Sequence, residues 1–298
     1  MHETIHESPQ DISIFVRIKC LLLINAGANL NSVDDYHNTL LHCAAQLGHY
    51  NITKLLLENG ANVNAQGRYN QTPIHCATLN GHVEIIELLV NYGADIDMKS
   101  DKNLTPLHLA VKKNAVEVVE KLIALGANLE EKDNNELTPL HIAVWLGQME
   151  MVDILVRSGA NLNTKGFDNF TPIITALIYG PHLDIIEKLL KEGAAINSRT
   201  KRDLTFLHFA TMYGLKSLCT LSIVYKADLN AASRSKITPL HYAVHGNDLE
   251  IVQILLRNGA NPNVKDKDGD SLIEYALKKK NIGRSKNLLY LYHHSPMK

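Results

Sequence analysis

Two short motifs return along this chain in fixed phase, and their period constrains the fold more than any other property. Thr39, Thr72, Thr105, Thr138 and Thr171 are spaced by 33 residues; Thr205 follows after 34, then Thr238 and Ser271 after 33 each. Gly27-Ala28-Asn29 returns in step at Gly60, Gly93, Gly126, Gly159, Gly193 and Gly259, with Lys226 in the glycine position once. Two motifs locked in phase over a whole chain mark an array of structural repeats. Nine such periods account for all but one of the 298 residues, so no second kind of domain is expected.

The repeated residues specify a helical pair. Thr before Pro, as in Thr72-Pro73, Thr105-Pro106 and Thr138-Pro139, is a helix N-cap followed by the one helical position where a missing N–H costs nothing. Small Ala110, Ala143 and Ala243 come one turn later, where a neighbouring helix can approach closely. Gly48, Gly81, Gly147, Gly180 and Gly214 end that short helix, supplying the left-handed C-cap geometry. A second stretch such as residues 83–89 is apolar on one face with the helical period. The Gly-Ala pair then stops this second helix. Ahead of each Thr stand Asn70, Asn103, Asn169, Asp203 and Gly269, residues that tolerate positive φ in a turn. One unit cannot bury its apolar face alone, so the units must stack.

These residues resemble the ankyrin family, with its period of 33, its T-P-L-H-x-A opening and its Gly-Ala-Asn or Gly-Ala-Asp closing, over essentially the whole chain. The resemblance implies an all-α ankyrin-type solenoid of stacked helix-turn-helix repeats with β-hairpin fingers, and arrays of that family bind proteins. The expected organisation is a degenerate N-terminal cap at 1–33, seven repeats at 34–265 and a C-terminal cap at 266–298. The apolar run 12–24, broken by Arg17 and Lys19 and preceded by Glu3 and Glu7, fits the second helix of that first cap. It has the wrong flanking charge for a signal peptide and is too short for a membrane span.

A formal net charge of -1 gives no global bias toward nucleic acid. A basic cluster at Lys278-Lys279-Lys280, Arg284 and Lys286 reads as a solvated cap, or as a patch for an acidic partner. Cys20, Cys43, Cys76 and Cys219 have no metal-ligand spacing. Cys43 and Cys76 occupy equivalent positions in adjacent units, expected about 8–10 Å apart, beyond disulfide reach. Four unpaired thiols fit a reducing compartment; a cytoplasmic location is expected, with the nucleus left open.

Of the 15 histidines, His42, His75, His108, His141, His208 and His241 recur once per unit at the helix start. A ladder spaced by helix packing does not converge on one point as metal ligands must, so a structural role toward Thr and nearby backbone is expected. No nucleophile motif, phosphate loop or Walker sequence is present. The expectation is a monomer without catalytic activity, cofactor, metal, nucleic-acid partner or membrane span.

Function then falls on positions that stacking does not need. The family pattern implies that the residue before Thr, and the two before the inter-helix Gly, face a concave groove. The first column reads Asn38, Gln71, Leu104, Leu137, Phe170, Leu204, Ile237, Asp270; the second brings Trp145 with Leu146, Ile178 with Tyr179, and Met212 with Tyr213. Apolar residues before Thr also suit shielding of the helix start. The coincidence of both columns in the same units favours a protein-binding groove within 133–232, formed by Leu137, Trp145, Leu146, Phe170, Ile178, Tyr179, Leu204, Met212 and Tyr213. Departures from the repeat fall there too: an inserted residue placed at Pro181, Ile174 for the motif His, Phe206 for Pro and Lys226 for Gly. A scaffold or adaptor is the leading expectation. Two alternatives stay open: the resemblance implies Asn64, closing Gly-Ala-Asn-x-Asn, as a site of asparagine hydroxylation, and an effector or inhibitor mimicking host ankyrin proteins would carry the same residues.

Overall fold

The computed structural model describes residues 26–272, 274 and 275. The apolar run 12–24 and the basic cluster from Lys278 to Lys286, and with them most of both expected caps, lie outside the described residues. The chain divides into two compact units, Met1–Asn134 and Asn135–Lys298.

The described residues of the first unit form three helical pairs: α1 (Leu40–Gln46) with α2 (Tyr50–Glu58), α3 (Pro73–Leu79) with α4 (Val83–Asn91), and α5 (Pro106–Lys112) with α6 (Val116–Ala124). The first helices pack in sequence, α1 on α3 and α3 on α5, as do the second helices α2, α4 and α6. The second unit has four pairs: α7 (Pro139–Trp145) with α8 (Met149–Arg157), α9 (Pro172–Ile178) with α10 (Leu183–Lys191), α11 (Phe206–Met212) with α12 (Lys216–Val224), and α13 (Pro239–His245) with α14 (Leu249–Arg257). Here α7, α9, α11 and α13 stack in order. Each unit is thus an all-α stack of helix-turn-helix repeats.

The repeat period is written into the core. Leu41, Ile74 and Leu107 in the first unit, and Leu140, Ile173, Leu207 and Leu240 in the second, hold equivalent positions and are almost fully buried. Full burial of each stabilises by about 1.5–3 kcal/mol. The small residues Ala77, Ala110, Ala143, Ala176, Ala210 and Ala243 are equally inaccessible, as close helix approach requires.

The turns follow the expected backbone chemistry with two corrections. Asn70, Asn103, Asn169, Asp203 and Gly269 all adopt positive φ, and Lys226 does so at +58° in the place of glycine. Gly180 does not share the positive φ of Gly48, Gly81, Gly147 and Gly214; the extra residue Pro181 lengthens this turn, and His182 takes the N-cap of α10. The β-hairpin fingers are present as turns without strands: among the described residues the sole bridge is Val33 with Thr39. The turns are closed by backbone bonds such as Gly166 N–H to Phe170 O at 2.8 Å and Thr200 N–H to Leu204 O at 2.9 Å. Where neighbouring turns are joined by a backbone bond it is a single one, such as Lys201 N–H to Asp168 O at 3.0 Å, too few for a ladder.

Candidate protein-binding surface

The motif histidines organise the frame on which the candidate surface sits. In α3, the Thr72 N–H donates to His75 Nδ1 at 3.1 Å, and the Thr72 hydroxyl lies 2.8 Å from the same nitrogen. An accepting Nδ1 leaves the proton on Nε2, which donates to Leu104 O in the next repeat at 3.0 Å. The arrangement recurs at His42 with Gln71 O, His141 with Phe170 O and His208 with Ile237 O. It is a capping box with His in place of the usual Glu or Gln, extended by a bond to the following unit. Burial lowers the pKa of His75 and His208 to about 4, so these rings are neutral at neutral pH. Burial also raises the Cys76 thiol to about 11 and Cys219 to about 12, which keeps both protonated. Among the described residues no cluster of His, Cys, Asp or Glu is placed to hold a metal ion.

This bonding corrects the expectation for the column before Thr. Leu137, Phe170 and Leu204 are 5%, 3% and 7% exposed, so they belong to the core and not to an accessible groove. The carbonyl of Phe170 is drawn onto the His141 imidazole, and its side chain is carried inward against Phe209, ring centroids 6.0 Å apart and nearly perpendicular.

The second column behaves differently. Trp145, Ile178 and Met212 are the last residues of α7, α9 and α11, and Leu146, Tyr179 and Tyr213 are their C-caps. Leu146 is 42% exposed, and the other five are half-buried. Trp145 meets Tyr179 edge to face at 6.5 Å, while Tyr213 stacks on Phe209 at 6.5 Å. The second unit therefore presents a strip of six apolar and aromatic side chains, two per repeat, whose aromatic rings are braced by neighbours. Rigid, partly exposed aromatics of this kind are the usual anchors of protein interfaces.

Asn64 is half-buried and bridges two repeats: its Oδ1 accepts the Asp95 N–H at 2.8 Å and its Nδ2 donates to Gly93 O at 3.2 Å. Asn197 does the same toward Asp228 N–H and Lys226 O, and Asn230 toward Asn261 N–H and Gly259 O. In the sequence, Asn64 stands out only as a candidate for hydroxylation, and Asn197 and Asn230 do not stand out at all. Their recurrence at the repeat step was the available signal, but only coordinates show that each carboxamide reaches the following unit.

Among known proteins, a family profile described as ankyrin repeats (3 copies) matches residues 16–100, 96–166 and 128–200, and one described as ankyrin repeats (many copies) matches 224–276. The putative ankyrin repeat protein L371 of Acanthamoeba polyphaga mimivirus is 29% identical over 96 residues, 32% of this chain and 12% of the relative. The ADP-ribosylation factor GTPase-activating protein AGD4 of Arabidopsis thaliana is 31% identical over 107 residues, 32% of this chain and 14% of that protein. The matches thus span only a small part of the length of these curated relatives. The crystal structure of the ankyrin repeat domain of Bcl-3, described as a unique member of the IkappaB protein family, superposes with a TM-score of 0.67 at 26% identity, covering 74% of this chain and 98% of that one.

Proposed function

The chain belongs to the ankyrin-repeat family, and on that premise we propose that it is a non-catalytic scaffold or adaptor whose concave surface binds a protein partner along Trp145, Leu146, Ile178, Tyr179, Met212 and Tyr213. The observation that carries the reading is the recurrence of large apolar side chains, still accessible, at equivalent helix ends in three successive repeats. Stacking is satisfied by the buried ladder beneath them, so their chemistry is spare for recognition. Phe170 packs on Phe209, which in turn stacks on Tyr213 of the strip. The proposal includes a monomeric, cytoplasmic protein with capping repeats at 1–33 and 266–298 flanking seven repeats at 34–265. Relatives far longer than the matched segments support a recognition module within larger assemblies.

A photo-reactive amino acid at Leu146 tests this reading against one at exposed Lys191 on α10. The expected result is a discrete protein adduct from position 146 in cells, absent from position 191. Equal labelling from both positions would remove the strip as the binding surface. Hydroxylation of Asn64 at its β-carbon is the alternative; the carboxamide beyond that carbon holds two inter-repeat bonds. Co-expression with an asparagine hydroxylase and intact-mass measurement decides it, a gain of one oxygen lost in Asn64→Ala being the positive result.

A further inference from the structure

The last three described turns of the Asn135–Lys298 unit carry a column of cations. Lys201, Arg234 and Lys267 recur at the 33-residue step. The backbone N–H of each donates to the preceding turn: Lys201 to Asp168 O at 3.0 Å, Arg234 to Arg202 O at 3.1 Å and Lys267 to Ser235 O at 3.1 Å. The three residues are therefore held in line, one per repeat, and all are exposed. Arg234 and Lys267, with Arg202, rim a cavity of about 300 Å³ over Phe209, Met212 and Tyr242. Met212 also belongs to the apolar strip, so the cavity continues that surface.

The carboxylates nearby offset this charge only in part: Arg202, Arg234 and Lys267 line the cavity together with Asp266 and Asp268. Asp266 is buried and its Oδ1 accepts the N–H groups of Asp268 and Asp270 at 2.9 and 3.0 Å. Asp203 Oδ2 lies 3.6 Å from Arg234 Nε on exposed side chains, a weak surface pair that a competing carboxylate can displace. Asp168 is half-buried among Lys201, Arg202 and Arg234, and burial raises its pKa despite them. The cavity is at the small end of the roughly 300–1,000 Å³ range of ligand sites, a size for one bulky side chain. Repeats stack about 8–10 Å apart, and a polyproline II segment advances about 3.1 Å per residue with three residues per turn, so every third side chain of such a segment faces the next cation.

Resting on the proposed strip, we propose that the partner segment is an extended acidic peptide in the polyproline II conformation, with carboxylates at every third position opposite Lys201, Arg234 and Lys267 and one large apolar side chain against Met212 and Tyr242. A nucleic acid fits less well, because its unbroken phosphate series also meets Asp203 and Asp268 on the same turns. Spaced carboxylates can avoid them.

The test uses the full chain and a phage-displayed library of random dodecapeptides, followed by affinity measurement on selected synthetic peptides and on a 20-nucleotide single-stranded DNA. The expected result is enrichment of Asp or Glu at a three-residue spacing around an apolar residue. Affinity should fall at least tenfold in R234E/K267E, whose thermal midpoint should match the wild type, and fall again as NaCl rises from 50 to 300 mM. Neutral or basic peptides that lose affinity in Trp145→Ala but not in R234E/K267E would overturn this inference and leave the strip standing. Acidic peptides lost in R234E/K267E but indifferent to Trp145→Ala and Tyr179→Ala would keep the basic cavity and remove the strip. No enrichment, or tighter binding of the DNA than of any selected peptide, would overturn the inference outright.

Discussion

Acidification should loosen the array through its histidines before its carboxylates titrate. His75 and His208 are fully buried, and burial lowers their pKa from 6.5 to about 4. Between those two values the unfolded chain binds the protons and the folded chain does not, so stability falls as pH falls through this window and levels off below about 4. At about 1.36 kcal/mol per pKa unit, each ring costs roughly 2 kcal/mol on going from pH 7 to pH 5 and about 3 kcal/mol at the limit. The direct perturbation is His75→Gln, because Gln at the third helical position can still reach back to the Thr72 N–H but does not titrate. Urea unfolding followed by circular dichroism at pH 7 and pH 5 is the assay, on wild type, His75→Gln and His208→Gln. Each variant should lose about 2 kcal/mol of the wild-type pH dependence. An unchanged pH dependence in both variants would refute neutral, buried capping histidines as its origin.

Two further outcomes test the frame. Thr138→Ala removes the hydroxyl that lies 2.8 Å from His141 Nδ1 and accepts the His141 N–H, and should cost about 1–2 kcal/mol in urea unfolding; a change under a few tenths would mean that the cap contributes little. Residues 166–232, which combine the lengthened turn at Pro181, the missing motif histidine at Ile174 and the positive φ of Lys226, should exchange amide hydrogens faster than residues 67–165, and uniform protection would contradict this.

The helical starts, turn positions and family were legible in the sequence because each rests on local chemistry repeated at fixed phase. Thr-Pro marks a cap wherever it stands, and Asn before Thr marks a left-handed turn. The candidate surface was legible only in half. Trp145, Tyr179 and Tyr213 stay accessible at helix ends, whereas Phe170 and Leu204 turn inward. The direction of those two depends on an imidazole 29 residues earlier capturing the Phe170 carbonyl, and on a closing bond to the Leu204 carbonyl from the Thr200 N–H. No periodicity argument sees such a bond. The cation column escaped for a different reason: Lys201, Arg234 and Lys267 lie in turns, where charge is ordinary, and Arg234 and Lys267 gain meaning only beside the cavity lined by Met212 and Tyr242.

The most direct test of a binding strip is a paired measurement on Trp145→Ala and Tyr179→Ala of thermal unfolding and of affinity for the protein captured from position 146. If Trp145 is an interface anchor, its loss should weaken binding by about 2 kcal/mol or more, and stability should fall by much less than the roughly 3–5 kcal/mol of a truncated core aromatic. Large destabilisation with unchanged affinity in the folded fraction would make Trp145 and Tyr179 packing residues and contradict the account.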